Sequence, residues 1–292
     1  MKPAPFDYYA PGTVEEALGL LGIIVGAKVL AGGQSLIPMM NMRLATPPAL
    51  VDLRRIEALS QQSLTSRGIV LGAMTCHRSI ESEPTIASLC PILPASAKLI
   101  SHFQIRERGT IGGSLVHADP SAEWPMIAVL TDATLTLAGP TKTRQIPARD
   151  FFVSVFTTTI ETGEILTKVR FPVLPPATGW AVREVARRRG DFAIVAASAL
   201  TTESDGRYAA GSIALAGVSG TPLLAAAAER LVGQKPSAEL WREVANAVGD
   251  EIEPETDVHA TAEDRRDIAR TLVTRVLSEA HHRSHLSNED HL

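Results

Sequence analysis

The chain contains two Gly-Gly pairs in similar settings, AGGQS at residues 31–35 and TIGGS at residues 110–114. Each pair follows an apolar stretch, and a serine stands within two positions after it. Glycine permits positive φ and lacks a Cβ, so backbone N–H groups beside it can converge on a pyrophosphate. A helix that begins directly after the loop adds further free N–H groups. The pairs therefore predict either two tight turns or two halves of one phosphate-binding cradle.

The turn interpretation is the commoner one for a single Gly-Gly pair, because glycine clusters punctuate loops in general. Repetition of a strand, a Gly-Gly pair and a serine favours an anion site. The repetition does not identify the ligand. No GK[ST] follows either pair, and the G-x-G-x-x-G pattern of dinucleotide-binding folds is absent from the sequence.

Composition narrows the class of protein. The chain has 292 residues, 45% of them hydrophobic and 21% charged, which is typical of a globular protein of more than one domain. A formal charge of −4 argues against broad nucleic-acid binding. An iron–sulfur cluster usually needs about four thiolates, which the two isolated cysteines, Cys76 and Cys90, cannot supply. Two isolated cysteines also fit a protein of the reducing cytoplasm better than a disulfide scaffold.

The N-terminus, MKPAPFDYYAPGT, lacks the apolar core of a signal peptide. The longest apolar tract, residues 19–31, contains Lys28 and is too short to span a bilayer. These features predict a soluble, cytoplasmic protein without a transmembrane segment.

Caps and apolar spacing predict a mixture of helices and strands. Thr13 and Glu16 form a capping-box pattern for a helix that ends near Gly22. Asp119 and Pro120 have the residue types of an N-cap and a first helical position. Other helical segments are expected at 35–38 and 91–102, and strands at 28–31, 49–53, 68–72, 133–137, 151–157 and 164–171.

The C-terminal third has a different character. Residues 173–177 are a linker candidate because they contain a Pro pair. Strands at 193–202 and 207–216 are predicted to join at Asp205-Gly206, a hairpin signal. Helices are predicted at 221–232, 237–248 and 262–282. Because strands and helices do not alternate regularly, the expected fold class is α+β.

We expect a first domain at 1–176, with lobes at about 1–56 and 57–176, and a second domain at 177–282. Residues 283–292 are expected to be a disordered polar tail. Four of the eight histidines lie at or near this tail, namely His281, His282, His285 and His291, so a metal-binding tract is the alternative.

Six motifs together resemble the FAD-binding medium subunits of bacterial molybdenum hydroxylases, a family that includes carbon monoxide dehydrogenase and the N-heteroaromatic hydroxylases. The motifs are KVLAGGQSLIPMMNMRLATP (28–47), LVDLRRI (50–56), GAMTCH (72–77), IRERGTIGGSLVHADPSAEWP (105–125), GEILTKVRFP (163–172) and RRRGDFA (187–193). The resemblance covers nearly the whole chain. It implies a two-lobed, PCMH-type FAD-binding domain followed by a C-terminal domain of the carbon monoxide dehydrogenase flavoprotein type.

The resemblance also implies which residues bind FAD. The first loop would run along the cofactor and donate hydrogen bonds to its pyrophosphate from Gly32, Gly33 and Ser35. The second loop would close the other side. The full implied set is Lys28, Val29, Leu30, Ala31, Gly32, Gly33, Gln34, Ser35, Ile100, Thr110, Ile111, Gly112, Gly113, Ser114, Glu123, Leu166 and Phe192.

Individual roles follow from the same resemblance. Glu123 stands where the family has an acidic residue near the ADP ribose, and Ile100 and Leu166 would pack against flexible parts of the flavin. Phe192 replaces the tyrosine that relatives often carry beside the isoalloxazine, which removes a hydroxyl group; the alternative is an ordinary core aromatic. Gln34 stands where related folds often tether the flavin through His or Cys, so non-covalent FAD is expected.

The resemblance implies electron transfer rather than substrate chemistry on this chain. A large subunit would hold a molybdopterin-type molybdenum cofactor, and a small subunit would hold [2Fe–2S] clusters, in a dimer of heterotrimers. The electron acceptor would be a quinone, a carrier protein, oxygen or NAD. No catalytic or metal-binding residue is assigned, since His77 and His117 lack a visible nucleophile–base set. A stand-alone flavin oxidase and a flavin-free interaction protein remain the alternatives.

Overall fold

The structure is a computed structural model that describes residues 2–289, with side chains through residue 285. The N-terminal lobe is a small parallel sheet in the order β1-β3-β2. Its elements are β1 (Asp7–Tyr9), α1 (Val14–Ile23), β2 (Lys28–Leu30), α2 (Leu36–Asn41) and β3 (Ala49–Asp52). The central strand β3 is buried along its whole length, as expected for a parallel strand covered on both faces.

The second lobe is an antiparallel sheet in the order β4-β5-β10-β6-β7, covered by helices. The sheet strands are β4 (Gln62–Thr65), β5 (Gly68–Gly72), β6 (Thr134–Ala138), β7 (Thr143–Pro147) and β10 (Ile165–Phe171), and β8 (Phe152–Ser154) and β9 (Thr157–Thr158) form a small hairpin. The helices are α3 (His77–Ser82), α4 (Pro84–Leu89), α5 (Ile92–Ala97), α6 (Phe103–Arg106), α7 (Ile111–His117) and α8 (Glu123–Leu130).

The C-terminal part is an antiparallel sheet in the order β11-β12-β13-β14, with two long helices. The strands are β11 (Gly179–Val185), β12 (Val195–Ser204), β13 (Arg207–Ala216) and β14 (Leu223–Leu224), and the helices are α9 (Ala238–Glu251) and α10 (Ala262–Glu289). Both faces of this sheet are buried. Ala196 and Ala214 belong to the core that contains α8, whereas Ala197 and Leu215 belong to the core formed with α9 and α10. The period of two along each strand explains the division.

Helix α8 is the shared element of the two halves. All eight of its residues are buried, because one side packs in the second lobe and another packs on the C-terminal sheet. A helix that is apolar around its circumference is expected in such a position. The N-terminal half, made of the two lobes, and the C-terminal half therefore share one continuous core.

Several predicted elements are confirmed. The Thr13 hydroxyl accepts the N–H of Glu16, and the Glu16 carboxylate reaches back one residue further than expected, to the N–H of Gly12. The hairpin turns at Asp205 and Gly206, which both have positive φ, 53° and 69°. The mixed α+β content is also as predicted.

Two local predictions are wrong. Helix α8 begins at Glu123, not at Asp119, since Pro120 is held in a turn by the N–H of Gly217 from the C-terminal half. Residues 221–232 are not an α-helix, because Leu223 and Leu224 pair with β13 and only a 3-10 turn at Ala226–Leu231 follows. Tertiary pairing overrides local helix propensity there.

The expected disordered tail is helical as far as the structure describes it. Helix α10 continues through Glu289, and the guanidinium of Arg283 lies 4.0 Å above the ring of Trp180. Ser284 is buried. Tertiary contacts thus extend the helix beyond residue 282, while residues 290–292, including His291, lie outside the described residues.

Candidate functional site

The fold brings the two Gly-Gly loops into contact. A Cβ added to Gly32 would lie 2.2 Å from the carbonyl oxygen of Arg108, just before the second loop. A Cβ added to Gly113 would lie 3.4 Å from the Cβ of Ala31 in the first loop. The glycine at position 32 is therefore required for close approach of two backbones. Two segments that are distant in the sequence, one from each lobe, therefore lie in contact.

The first loop presents unpaired donors. It connects β2 to α2, and Gly33 has a φ of 73°. Among the described residues, no acceptor is found for the backbone N–H groups of Gly32, Gly33, Gln34 and Ser35. The Gln34 side chain donates to the Gly32 carbonyl at 2.9 Å, which holds the turn. Consecutive N–H groups in a turn that includes a residue of positive φ are a typical anion-binding arrangement.

The second loop does not present such donors. Its glycines lie in the first turn of α7, and Thr110 is the N-cap, with its hydroxyl 3.0 Å from the N–H of Gly113. The N–H groups of Ile111 and Gly112 donate to Thr75 and Ala73, and that of Ser114 donates to Thr110. The second pair is thus not a second backbone nest, contrary to the sequence-based expectation.

Packing explains the second pair. A Cβ added to Gly112 would lie 2.6 Å from the Cβ of Ala73, so α7 can sit against the end of β5 only with glycine there. No strand precedes the pair; a single bridge between Cys76 and Thr110 replaces it. The sequence pattern was similar in both loops, but hydrogen bonds to Ala73 and Thr75 distinguish them.

His77 stabilises the segment before the second loop. Its backbone N–H donates to the Gly109 carbonyl, and its Nδ1 accepts the indole N–H of Trp124 at 3.0 Å. Burial, together with the nearby positive charge of Arg106, lowers the pKa of His77 to about 4. The ring is therefore neutral at physiological pH and acts as a structural group. His117 stacks on Phe156, with ring centroids 4.9 Å apart.

A cleft of about 470 Å³ lies where the segment after α7 meets the C-terminal half. Phe192 is 55% exposed in this cleft, so it is not a core aromatic. The residues that line the cleft include Asp119, Ser121, Arg187, Gly190, Asp191, Phe192, His259 and Arg265. An exposed ring over a cleft of this size suits a planar ligand.

Glu123 is a buried acid near the same junction. Burial, together with the nearby carboxyl groups of Glu184 and Asp119, raises its pKa to about 8. Burial also raises the pKa of Glu184 to about 7. Much of the Glu123 population is therefore protonated near neutral pH, and a hydrogen-bond donor from a ligand would favour ionisation.

The remaining predicted site residues differ in their exposure. Ile100 and Leu166 are 9% and 3% exposed and belong to the core of the second lobe. On β2, Lys28 is exposed and Leu30 is buried against Met40.

Sequence reasoning missed the residues that hold the far wall of the cleft. The Arg265 guanidinium donates to the carbonyls of Ile194 and Gly217, and it pairs with Asp257 at 2.7 Å. These contacts fix the segment that carries Phe192 to the start of α10. No local pattern could reveal them, because Arg265 lies about seventy residues from its carbonyl partner Ile194.

Two family models account for almost the whole chain. Residues 4–174 match the FAD binding domain in molybdopterin dehydrogenase, and residues 180–280 match the CO dehydrogenase flavoprotein C-terminal domain. The fold and these two matches define the class: the chain belongs to the family of FAD-binding medium subunits of molybdenum hydroxylases. The family prediction is confirmed, and so is FAD as the family's cofactor.

Particular relatives are similar over their full lengths. The chain is 38% identical to the 6-hydroxypseudooxynicotine dehydrogenase complex subunit alpha of Paenarthrobacter nicotinovorans, over 99% of both chains. It is 35% identical to the carbon monoxide dehydrogenase medium chain of Hydrogenophaga pseudoflava, over 96% of this chain and 98% of that one. The chain is accordingly an oxidoreductase subunit.

Solved structures show the same fold. A structure of carbon monoxide dehydrogenase from Hydrogenophaga pseudoflava superposes with a TM-score of 0.95 at 36% identity, covering 97% of this chain and 99% of that chain. Quinoline 2-oxidoreductase from Pseudomonas putida 86 gives a TM-score of 0.93 at 35% identity, covering 97% and 100%. No helix in the described part of the chain is long and apolar enough to cross a membrane.

Proposed function

We propose that this chain is the FAD-binding electron-transfer subunit of a molybdenum hydroxylase complex. It receives electrons from [2Fe–2S] clusters on a small partner subunit and passes them to an external acceptor, while a large partner subunit holds the molybdenum cofactor. The observation that carries the proposal is the AGGQS loop, with four successive N–H groups that lack acceptors within the described residues. When bound, FAD supplies the ability to exchange one or two electrons.

The residues of this chain bind and position the cofactor. The N–H groups of residues 32–35 hold the pyrophosphate, and the Ser114 hydroxyl adds a donor from the adjacent helix. Glu123 accepts a hydrogen bond from a ribose hydroxyl. Phe192, which is exposed in the cleft, would contact the isoalloxazine there. Gln34 offers no nucleophile for a tether, so binding is non-covalent.

Domain division and assembly belong to the same proposal. The chain divides at 176 and 177, where an exposed turn separates β10 from β11. The complex is a dimer of heterotrimers in the cytoplasm, and its acceptor is a quinone, a carrier protein, oxygen or NAD. The medium-subunit names of the relatives support partner subunits in general.

Expression of the full chain, alone and with its neighbouring genes, tests the proposal. The chain alone should show a flavin spectrum after FAD is added, and it should not oxidise a hydroxylase substrate by itself. Co-expression should yield a complex that contains molybdenum and iron. Absence of flavin binding would favour the interaction-protein alternative. Substrate oxidation by the flavin-loaded chain without partners would favour a stand-alone oxidase.

A further inference from the structure

Three potential metal ligands converge at the end of the C-terminal domain, far in sequence from the Gly-Gly loops. His281 and His285 lie one turn apart on α10, and Glu203 lies at the end of β12. His281 Nδ1 is 2.7 Å from one carboxylate oxygen of Glu203, and His285 Nε2 is 3.4 Å from the other. One ligand atom from each residue lies within 4.8 Å of the other two.

Neighbouring side chains contact Glu203 and His281 and restrict their orientation. The Ser284 hydroxyl lies 3.2 Å from Oε1 of Glu203. The ring of Trp241 lies 5.6 Å from that of His281, and its indole N–H donates to the Tyr208 hydroxyl at 2.8 Å. Such outer contacts restrict the orientation of ligand side chains.

Exposure decreases from one ligand to the next. The His285 side chain is 60% exposed, that of His281 is 22% exposed, and that of Glu203 is 9% exposed. An ion can therefore enter from solvent past His285. A water molecule can complete its coordination on the same side.

We propose that Glu203, His281 and His285 bind a divalent transition-metal ion of the zinc type. Tetrahedral zinc with bonds of about 2.0–2.1 Å separates neighbouring ligand atoms by about 3.3 Å. The distance from His281 Nδ1 to Oε1 of Glu203 is 2.7 Å, and that from His285 Nε2 to Oε2 of Glu203 is 3.4 Å, so the two distances lie on either side of this value. Two imidazoles and one carboxylate favour zinc, nickel or copper over magnesium and calcium, which prefer all-oxygen sites.

The bound ion would join two elements that are distant in the chain. It would connect the last turns of α10 to the β12–β13 hairpin, next to the turn at Asp205. Because the ligands are assembled only in the folded chain, binding stabilises the native state. The site is separate from the FAD site, so its test does not depend on the proposed electron-transfer function.

Zinc titration of the untagged, full-length chain, followed by calorimetry, tests this site. We expect about one equivalent of zinc to bind, and zinc to raise the apparent melting temperature in a manner reversed by EDTA. His285→Ala, a substitution at an exposed position, should weaken zinc affinity at least about tenfold, as should Glu203→Gln. FAD content should stay unchanged in both variants.

His282→Ala is the matched control, since His282 lies on the same helix but outside the ligand cluster. It should bind zinc like the wild-type chain. Cobalt provides a second measurement: absorption bands of tetrahedral cobalt at wavelengths beyond the flavin spectrum should occur in the wild type and disappear in His285→Ala. The site is wrongly assigned if zinc does not bind stoichiometrically, or if His282→Ala weakens binding as much as His285→Ala does.

Discussion

At the scale of single residues, the proposed role of Glu123 predicts that FAD binding is coupled to proton release. Its pKa is raised to about 8, first by burial and then by Glu184 and Asp119. A ribose hydroxyl that donates to this group favours the ionised form and lowers the pKa. FAD affinity should therefore increase as pH rises from about 6 to about 8, by up to about tenfold per pH unit, and then level off.

Fluorescence titration of the FAD-free chain across this pH range measures the effect. Glu123→Gln keeps a hydrogen-bonding group but cannot ionise, so its FAD affinity should be nearly independent of pH. Glu184→Gln is the matched control at the neighbouring acid and should retain the pH dependence. An FAD affinity of the wild type that does not change with pH would contradict the role of Glu123.

His77 makes the free energy of unfolding depend on pH in the acidic range. Its folded pKa is about 4, below its ordinary value of 6.5, because the ring is buried. Between these values the unfolded chain binds a proton that the folded chain does not. The free energy of unfolding should therefore fall as pH drops from about 6.5 to about 4, with His77 contributing about 3 kcal/mol to the loss.

Denaturant unfolding at several pH values measures this loss. His77→Asn is the useful variant, because the amide oxygen can still accept the indole N–H of Trp124. It should be less stable than the wild type near neutral pH and should lose less stability on acidification. Equal pH slopes for the two proteins would show that His77 is not the titrating group.

At the scale of elements, the proposed FAD site predicts that the contact between the first loop and α7 is needed for FAD binding. A Cβ on Gly113 points towards Ala31, 3.4 Å away, and lies 2.9 Å from the Thr110 hydroxyl. Gly113→Val should move the first loop away from the helix and reduce FAD content at least about tenfold, while most of the fold persists. Gly22→Val in α1 is the control, since nothing lies within 4 Å of its added Cβ.

The ratio of flavin to protein absorbance, measured after purification and again after FAD is added, gives the result. Circular dichroism shows whether the variant remains folded. Full FAD occupancy in Gly113→Val would place the cofactor elsewhere. Equal losses of FAD in Gly113→Val and Gly22→Val would show that the effect comes from general destabilisation of the fold.

The elements also show which features a sequence can predict. Local signals were sufficient for the capping box at Thr13 and the hairpin at Asp205, where a few adjacent residues determine the geometry. They failed for β14 and for the loop at Asp119, where partners from distant segments decide the conformation. The same distinction holds for the two Gly-Gly loops. The turn at AGGQS follows from local residues. In TIGGS, the backbone N–H groups are occupied by the carbonyls of residues 73 and 75, which the local sequence does not reveal.

At the scale of the whole molecule, small residues permit the two halves to join. Ala196, Ala214 and Ala216 form the face of the C-terminal sheet that belongs to the core of α8. Larger side chains such as Ile213 and Leu215 point to the other face, towards α9 and α10. The alternation lets a buried helix lie close to the sheet on one side while a thick apolar layer forms on the other.

This shared core predicts that the halves associate without a covalent link. Residues 1–176 and 177–292, expressed together as separate chains, should co-purify and bind FAD. Ala196→Asp places a carboxylate in the apolar contact and should reduce co-purification at least about tenfold. Ala209→Asp, at an exposed position of β13, should have little effect. If the two fragments remain apart, or if both aspartate variants behave alike, then the linker rather than the Ala196 face holds the halves together.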